Sequence, residues 1–263
     1  MSEENPYQAP TSLVEQTTNR GNFGEPQSLS PGQGMQWITS GWKLFTQSPL
    51  IWIVMTVLFW VIVIVMSVIP FVSILTSILL PIFTAGFMLT CRDLEEDKAI
   101  DVGNLFSGFK QRTGDLAALG AINLGIYFML FIFIFIVMMG AGIAGGMFDM
   151  ESGGDPFGGN PMLFMSAMMV PILIIALLII PILMLFWYSP AIIVLNEDVG
   201  VVEAMKLSFM GCLKNILPLT VYSLVLIVLI IIATIPFMLG WFILGPLLYG
   251  SLYASYKDIY IRE

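Results

Sequence analysis

The chain has 263 residues, of which 58% are apolar and 11% charged, and its formal net charge is −8. Soluble domains carry roughly a quarter charged residues, so the composition excludes an ordinary water-soluble globular protein. There is no histidine, which removes the commonest general base and most transition-metal sites, and the two cysteines, Cys91 and Cys212, form no C-x-x-C motif.

The first 33 residues are rich in Glu, Gln, Asn, Ser, Thr and Pro and have no apolar period. A segment of this composition cannot bury enough apolar surface to fold, so we predict a disordered tail over residues 1–33. Within it, the run Asn5-Pro6-Tyr7-Gln8-Ala9-Pro10 is either a short extended recognition element or part of a solubilising tail.

Four long stretches without any charge follow the tail: Leu44 to Cys91, Leu116 to Phe148, Pro156 to Asn196 and Asn215 to Tyr256. A helix needs about 20 residues to cross the ~30 Å hydrocarbon core of a bilayer. The first and last stretches are long enough for two crossings each. The sequence therefore predicts an all-α integral membrane domain over residues 34–263, with six transmembrane helices at about 50–69, 71–91, 116–143, 162–188, 217–236 and 240–256.

Six spans place every basic residue on the same side of the membrane: Arg20, Lys43, Arg92, Lys98, Lys110, Arg112, Lys206, Lys214, Lys257 and Arg262. The other side holds two tight turns and a loop with acidic residues only. Because cytoplasmic loops carry the excess of Lys and Arg, both termini are predicted to be cytoplasmic.

The first and last hairpins match each other. Ile69-Pro70-Phe71 is followed by Pro81 and Arg92-Asp93, and Ile235-Pro236-Phe237 is followed by Pro246 and Lys257-Asp258. The middle hairpin, with Pro171 and Pro181, is a weaker copy. The pattern predicts three hairpin units as an internal repeat.

Each hairpin is preceded by a short amphipathic segment. Apolar residues recur at helical spacing at Met35, Ile38, Trp42 and Phe45, at Val102, Leu105, Phe106 and Phe109, and at Val202, Met205, Phe209, Cys212 and Ile216. This spacing is typical of helices that lie in the membrane interface with the apolar face towards lipid. We therefore predict one cytoplasmic interfacial helix before each hairpin.

No charged residue falls within the six predicted spans, which argues against proton-coupled transport and intramembrane proteolysis. Asn123 and Tyr127, one turn apart in the third span, and Tyr222 in the fifth are the candidate polar residues. They either line a solute pathway or form interhelical hydrogen bonds and packing contacts.

Outside the spans, three further features have a functional and a structural interpretation. The acidic residues Asp149, Glu151 and Asp155 could hold Ca²⁺ weakly, but they lack the spacing of a calcium loop. The run from Arg92 to Lys98 contains paired carboxylates that are more typical of a solvated face. Cys91 and Cys212 are near the membrane boundary, either as acylation sites or as reduced structural cysteines.

Three separated stretches carry a family resemblance: Gly41-Trp42-Lys43-Leu44-Phe45 with Pro49-Leu50, Gly108-Phe109-Lys110-Gln111-Arg112-Thr113-Gly114, and Leu252-Tyr253-Ala254-Ser255-Tyr256-Lys257-Asp258. Over about residues 32 to 260 the chain resembles a family of uncharacterised proteobacterial six-span inner-membrane proteins. Its layout is also similar to the membrane domain of some glycerophosphodiester phosphodiesterases, without their catalytic domain. The resemblance implies a bacterial inner membrane and no assigned activity.

From these observations we predict a non-enzymatic inner-membrane protein that acts as a scaffold, an accessory subunit or a membrane-organising factor. The alternative is a permease or channel for a neutral or lipidic solute. We predict no cofactor and no metal site. Membrane lipid and a protein at the cytoplasmic face are the expected partners, and the net negative charge argues against nucleic acid. The oligomeric state is left open.

Overall fold

The computed structural model describes residues 22–69, 72–144 and 161–262. Nine α-helices form most of this part of the chain: α1 (Gln33–Gln47), α2 (Pro49–Val68), α3 (Val72–Glu95), α4 (Thr113–Ala144), α5 (Pro161–Phe186), α6 (Ser189–Leu195), α7 (Val201–Lys214), α8 (Ile216–Thr234) and α9 (Trp241–Tyr260). A 3-10 helix, Val102–Phe109, lies between α3 and α4. Two short strands, β1 (Asn22–Phe23) and β2 (Ile261–Arg262), pair antiparallel.

Five helical segments are long and apolar enough to cross a membrane, which confirms the prediction of a helical protein with several membrane-spanning helices. They are α2, Ile74–Glu95 of α3, Thr113–Gly140 of α4, Ile172–Leu195 across α5 and α6, and α8. The sixth predicted span, at 240–256, corresponds to α9. It is not among the five, and its sequence contains Lys257, Asp258 and several Tyr and Ser residues that lower its hydropathy. The buried helix α6 was not predicted.

The long helices follow one another around the bundle. α2 packs on α3, α3 on α4, α4 on α5, α8 on α9, and α9 on α2. Three shorter segments cover them: α1 packs on α8 and α9, the 3-10 helix on α2 and α3, and α7 on α4 and α5. Each short segment therefore covers the hairpin that comes before it around the bundle, and not the hairpin that follows it in sequence.

The contact between α1 and α9 depends on glycine. A Cβ atom added to Gly41 would lie 2.6 Å from the amide nitrogen of Ser251 and 2.8 Å from the carbonyl oxygen of Leu247. Two helix backbones approach this closely only where small residues meet. Next to this contact, Phe87 stacks on Tyr249 with ring centroids 4.0 Å apart. Aromatic rings thus fill the space between α3 and α9.

The segments predicted to be interfacial helices pack partly on the bundle. In α1, Trp37 and Ile38 are buried against the bundle, so much of the apolar face of α1 packs on protein instead of lipid. The second segment is a 3-10 helix and not an α-helix.

The third predicted segment, α7, packs on the bundle through small residues. Its buried residues are Ala204, Ser208, Gly211 and Cys212, whereas Val202, which belongs to the predicted apolar stripe, is 75% exposed. Small side chains allow α7 to approach its neighbours closely, and Cys212 is the one residue of the predicted stripe that is buried.

The predicted tail also differs over its last part. Residues 22–31, which we call the strap, lie against the end of α9 and the junction between α7 and α8. The Asn215 side chain donates to Gln27 O at 2.8 Å and accepts from Leu29 N at 2.9 Å, and Gln27 N donates to Ile259 O. The main chain of the strap is thus satisfied by the body of the protein. Residues 1–21 and the acidic loop with Asp149, Glu151 and Asp155 lie outside the described residues.

Candidate functional site

Ionic and polar contacts between distant segments of the chain lie at one end of the bundle. Lys257 Nζ lies 2.6 Å from Glu95 Oε1, Arg112 donates to the main-chain carbonyls at 196–197, and Lys214 Nζ donates to a carbonyl of the strap at 3.0 Å. Each contact joins residues that are far apart in the chain. We call this the charged end of the bundle.

Two cavities lie at the charged end, with volumes of about 330 and 540 Å³, and both are lined by Lys257 and Asp258. We call them together the end groove. The smaller cavity lies between α1, α3 and α9, and the larger one lies beside the strap. The charged lining comprises Lys43, Lys257, Arg262, Glu95, Asp97 and Asp258. Equal numbers of the two signs suit a polar partner surface of mixed charge better than a simple anion or cation.

The walls of the end groove are fixed by side-chain contacts. Glu95 accepts from Tyr253 OH at 2.8 Å as well as pairing with Lys257. Trp37 Nε1 of α1 donates to Asp258 Oδ2 of α9 at 2.8 Å. Because these side chains come from three helices, the groove has a defined shape. The polar side chains of this network bind and orient one another.

The structure does not bring the three predicted site residues together. Asn123 is half-buried and Tyr127 is 42% exposed, both on α4. Tyr222 on α8 is buried, and its hydroxyl lies 2.7 Å from Ser251 Oγ on α9. α4 packs mainly on α3 and α5, whereas α8 packs on α1 and α9. Tyr222 is therefore placed as an interhelical contact, and it shares no cluster with Asn123 and Tyr127.

The acidic run at the end of α3 is occupied by local contacts. Asp93 pairs with Arg92 at 3.1 Å and accepts from Asn104 Nδ2 at 3.2 Å, and Lys98 pairs with Glu96. Within residues 22–69, 72–144 and 161–262, no group of three or more Cys, Asp or Glu side chains could hold a metal ion.

Both cysteines are buried and unpaired by disulfide. Burial raises the pKa of the Cys212 thiol to about 12, so this group is protonated at neutral pH and is a poor nucleophile. Its Sγ lies 3.8 Å from Met184 O. The geometry fits a structural cysteine better than an acylation site.

A third cavity, of about 410 Å³, opens on the side of the bundle between α5 and α8, with α7 at its base. We call it the lateral groove. Its lining includes Leu183 and Met184 of α5, Cys212 of α7, and Leu219, Ser223 and Leu224 of α8. The lining is almost entirely hydrocarbon.

Sequence reasoning missed both grooves. Glu95 and Tyr253 are far apart in the chain, and no local sequence pattern predicts that they are in contact. The apolar residues of the lateral groove look like any other part of a span. The only available signal was the Lys257-Asp258 pair at the end of the last hairpin, which we interpreted as part of a repeat.

Comparison with known proteins gives one informative relative, a probable inner membrane protein of Burkholderia thailandensis. It is 24% identical over 251 residues, covering 88% of this chain and 92% of the relative. No family model matches the chain, and no solved structure matches it. The name of this relative, together with the apolar helices, supports a multi-pass inner-membrane protein.

Proposed function

We propose that this chain is a non-enzymatic, six-span inner-membrane scaffold or accessory protein whose end groove binds a partner protein on the cytoplasmic side. The observation that carries the proposal is the end groove itself, a charged and shaped surface built from α1, α3, α9 and the strap. Aromatic packing between α3 and α9 holds together two of the helices that carry this surface.

In this proposal α9 is the sixth span. It has 20 residues, enough to rise about 30 Å, and it returns the chain from the turn after α8 to the charged end. In that turn Phe237 is 95% exposed and the amides of Phe237, Met238 and Leu239 are hydrogen-bonded locally. A turn that satisfies its own amides is suited to the membrane boundary.

The orientation rests on the basic residues. Lys43, Lys257 and Arg262 line the end groove, and the positive-inside rule assigns a face of this kind to the cytoplasm. Both termini are then cytoplasmic. The three hairpin units remain part of the proposal, because the matching prolines Pro81 and Pro246 both lie inside helices, α3 and α9.

A site-specific cross-linking experiment tests the partner. A photoreactive amino acid replaces Gln47, which lines the smaller cavity, in the full chain in its native membrane. We expect a cross-link to one protein that disappears in Lys43→Glu and persists in Lys206→Glu, a matched charge reversal at an exposed position on α7. No cross-linked protein at Gln47, or equal loss in both variants, would contradict the proposal.

The second candidate is a permease for a neutral or lipidic solute, and the lateral groove is the observation that favours it. Its test is solute flux in proteoliposomes, with Ser223→Trp as the variant in the lateral groove and Asn123→Leu as the variant in the pathway predicted from the sequence. Flux that is lost in either variant would favour the permease over the scaffold.

A further inference from the structure

The bundle contains a repeated helix contact that relates its three hairpins. Gly41 in Gly41-Trp42-Lys43 meets the backbone of Leu247 and Ser251 in α9, and Gly108 in Gly108-Phe109-Lys110 meets the backbone of Ile82 and Gly86 in α3. Leu247 and Ile82 each directly follow the proline inside their helix. The same Gly-aromatic-Lys element thus docks at the same position of two hairpins.

The third hairpin receives a less close version of this contact. Ser208 of α7 donates to Met184 O on α5 at 2.7 Å, shortly after Pro181. The short segments α1, the 3-10 helix and α7 therefore cover successive hairpins in one direction around the bundle. The three hairpins have three seams between them: α3 with α4, α5 with α8, and α9 with α2.

Two of the three seams are closed by protein. Between α3 and α4, a Cβ atom on Gly120 would lie 2.6 Å from Ile78 Cα. Between α9 and α2, a Cβ atom on Gly245 would lie 3.0 Å from Thr56 Cγ2, and Phe59 meets Tyr249 edge to face. The third seam, between α5 and α8, is where the lateral groove opens.

We propose that the lateral groove is a binding site for one acyl chain of a membrane phospholipid, from the leaflet at the charged end. The chain takes the place of the helix contact that closes the two other seams. This site is separate from the end groove and goes beyond the proposed scaffold function.

The chemistry of the lining selects a hydrocarbon ligand. The Thr220 hydroxyl at the groove is used internally, since it donates to Ile216 O at 2.7 Å, and the remaining lining is chiefly Leu, Ile and Met. A polar solute would lose its hydrogen bonds to water without replacement there.

The depth of the groove suits one acyl chain. On α8 the lining extends from Ile216 to Leu224, a rise of about 12 Å that fits within one leaflet of the ~30 Å hydrocarbon core.

The test measures phospholipid that stays with the full chain through purification in mild detergent, by native mass spectrometry. Ser223→Trp fills the groove, and Ile227→Trp adds the same side chain on α8 at a lipid-exposed position outside the groove lining. We expect one retained phospholipid in the parent chain and in Ile227→Trp, and a loss of about tenfold or more in Ser223→Trp. Equal retention in both variants, or recovery of a free fatty acid in place of phospholipid, would overturn the proposal.

A second measurement does not depend on a variant. A phospholipid with a photoreactive group in its acyl chain is reconstituted with the unmodified protein, and cross-linked peptides are mapped. We expect cross-links concentrated at Leu183, Leu219 and Leu224. Cross-links of equal density along the exposed face of α4 would mean ordinary surrounding lipid and would also overturn the proposal.

Discussion

α4 and α9 are both long helices of one bundle, but their surroundings are opposite. No residue in the most apolar stretch of α4 is buried, whereas ten of the 20 residues of α9 are buried. α4 is apolar enough to count as a membrane span and α9 is not. Of these two helices, the one with more protein around it thus looks less like a membrane helix in sequence.

The difference arises because a helix needs apolar side chains where it contacts lipid. α9 has little surface that could contact lipid. Its polar side chains are satisfied by other helices: Ser251 meets Tyr222 at 2.7 Å, and Tyr256 accepts from Asn196 Nδ2 at 2.8 Å. Polar groups with partners are tolerated at membrane depth. A helix surrounded by other helices can therefore carry polar side chains that bond to its neighbours. A helix on the outside of the bundle has no such partners and must stay apolar.

The largest expected effect comes from the glycine contact of α9. Gly41→Leu forces a side chain into the backbone of α9, at the position where a Cβ already lies 2.6 Å from Ser251 N, and should destabilise the protein by about 3 kcal/mol. Thermal unfolding in detergent measures it. Gly125→Leu on α4 is the matched control, because nothing lies within 4 Å of a Cβ there. Equal loss in both variants would contradict the contrast between the two helices.

A smaller effect is expected from the hydroxyl of Tyr222. Tyr222→Phe removes the buried contact with Ser251 and should cost about 1 kcal/mol, the usual net contribution of one hydrogen bond. Tyr127→Phe on α4, where the side chain is 42% exposed, should be close to neutral. The same unfolding assay compares the pair. A larger cost for Tyr127→Phe would reverse our assignment of the two tyrosines.

The smallest effect is expected at the rim of the bundle. Glu95→Gln removes the charge that pairs with Lys257, and because both side chains are partly exposed, the loss should stay below about 1 kcal/mol. The difference from the parent chain should shrink as salt is added. Glu203→Gln, at an exposed position on α7, serves as the control. A loss of several kcal/mol that salt does not change would mean that the pair acts as a buried ion pair.

The sequence predicted the helices best where long runs of apolar residues are exposed on the outside of the bundle. Long uncharged stretches located α2, α4, α5 and α8 closely, because each of them presents apolar side chains to the membrane. The same logic placed a helix at 240–256, near the observed α9, through the uncharged run that continues to Tyr256. Its burial could not be predicted, because the partners of its Ser and Tyr side chains, such as Tyr222 and Asn196, are far from it in the chain.

Contacts between distant segments were the part that could not be predicted. The strap has no apolar period, and it is held by main-chain bonds to Asn215 and to the end of α9, which any polar sequence could make. Glu95 meets Tyr253 and Lys257 across the chain. Both grooves are formed by contacts between distant segments, so composition and the spacing of residues in the sequence could not predict them.

The pairing of β1 with β2 brings Asn22 opposite Arg262, so the two ends of the described chain are a strand spacing apart, about 5 Å. With α1 packed on the last hairpin, the order of the three hairpins closes into a cycle. A circular permutation that joins residue 22 to residue 262 and opens the chain between α3 and the 3-10 helix would keep the same neighbours in a different order. The packing of the bundle therefore does not depend on which hairpin comes first.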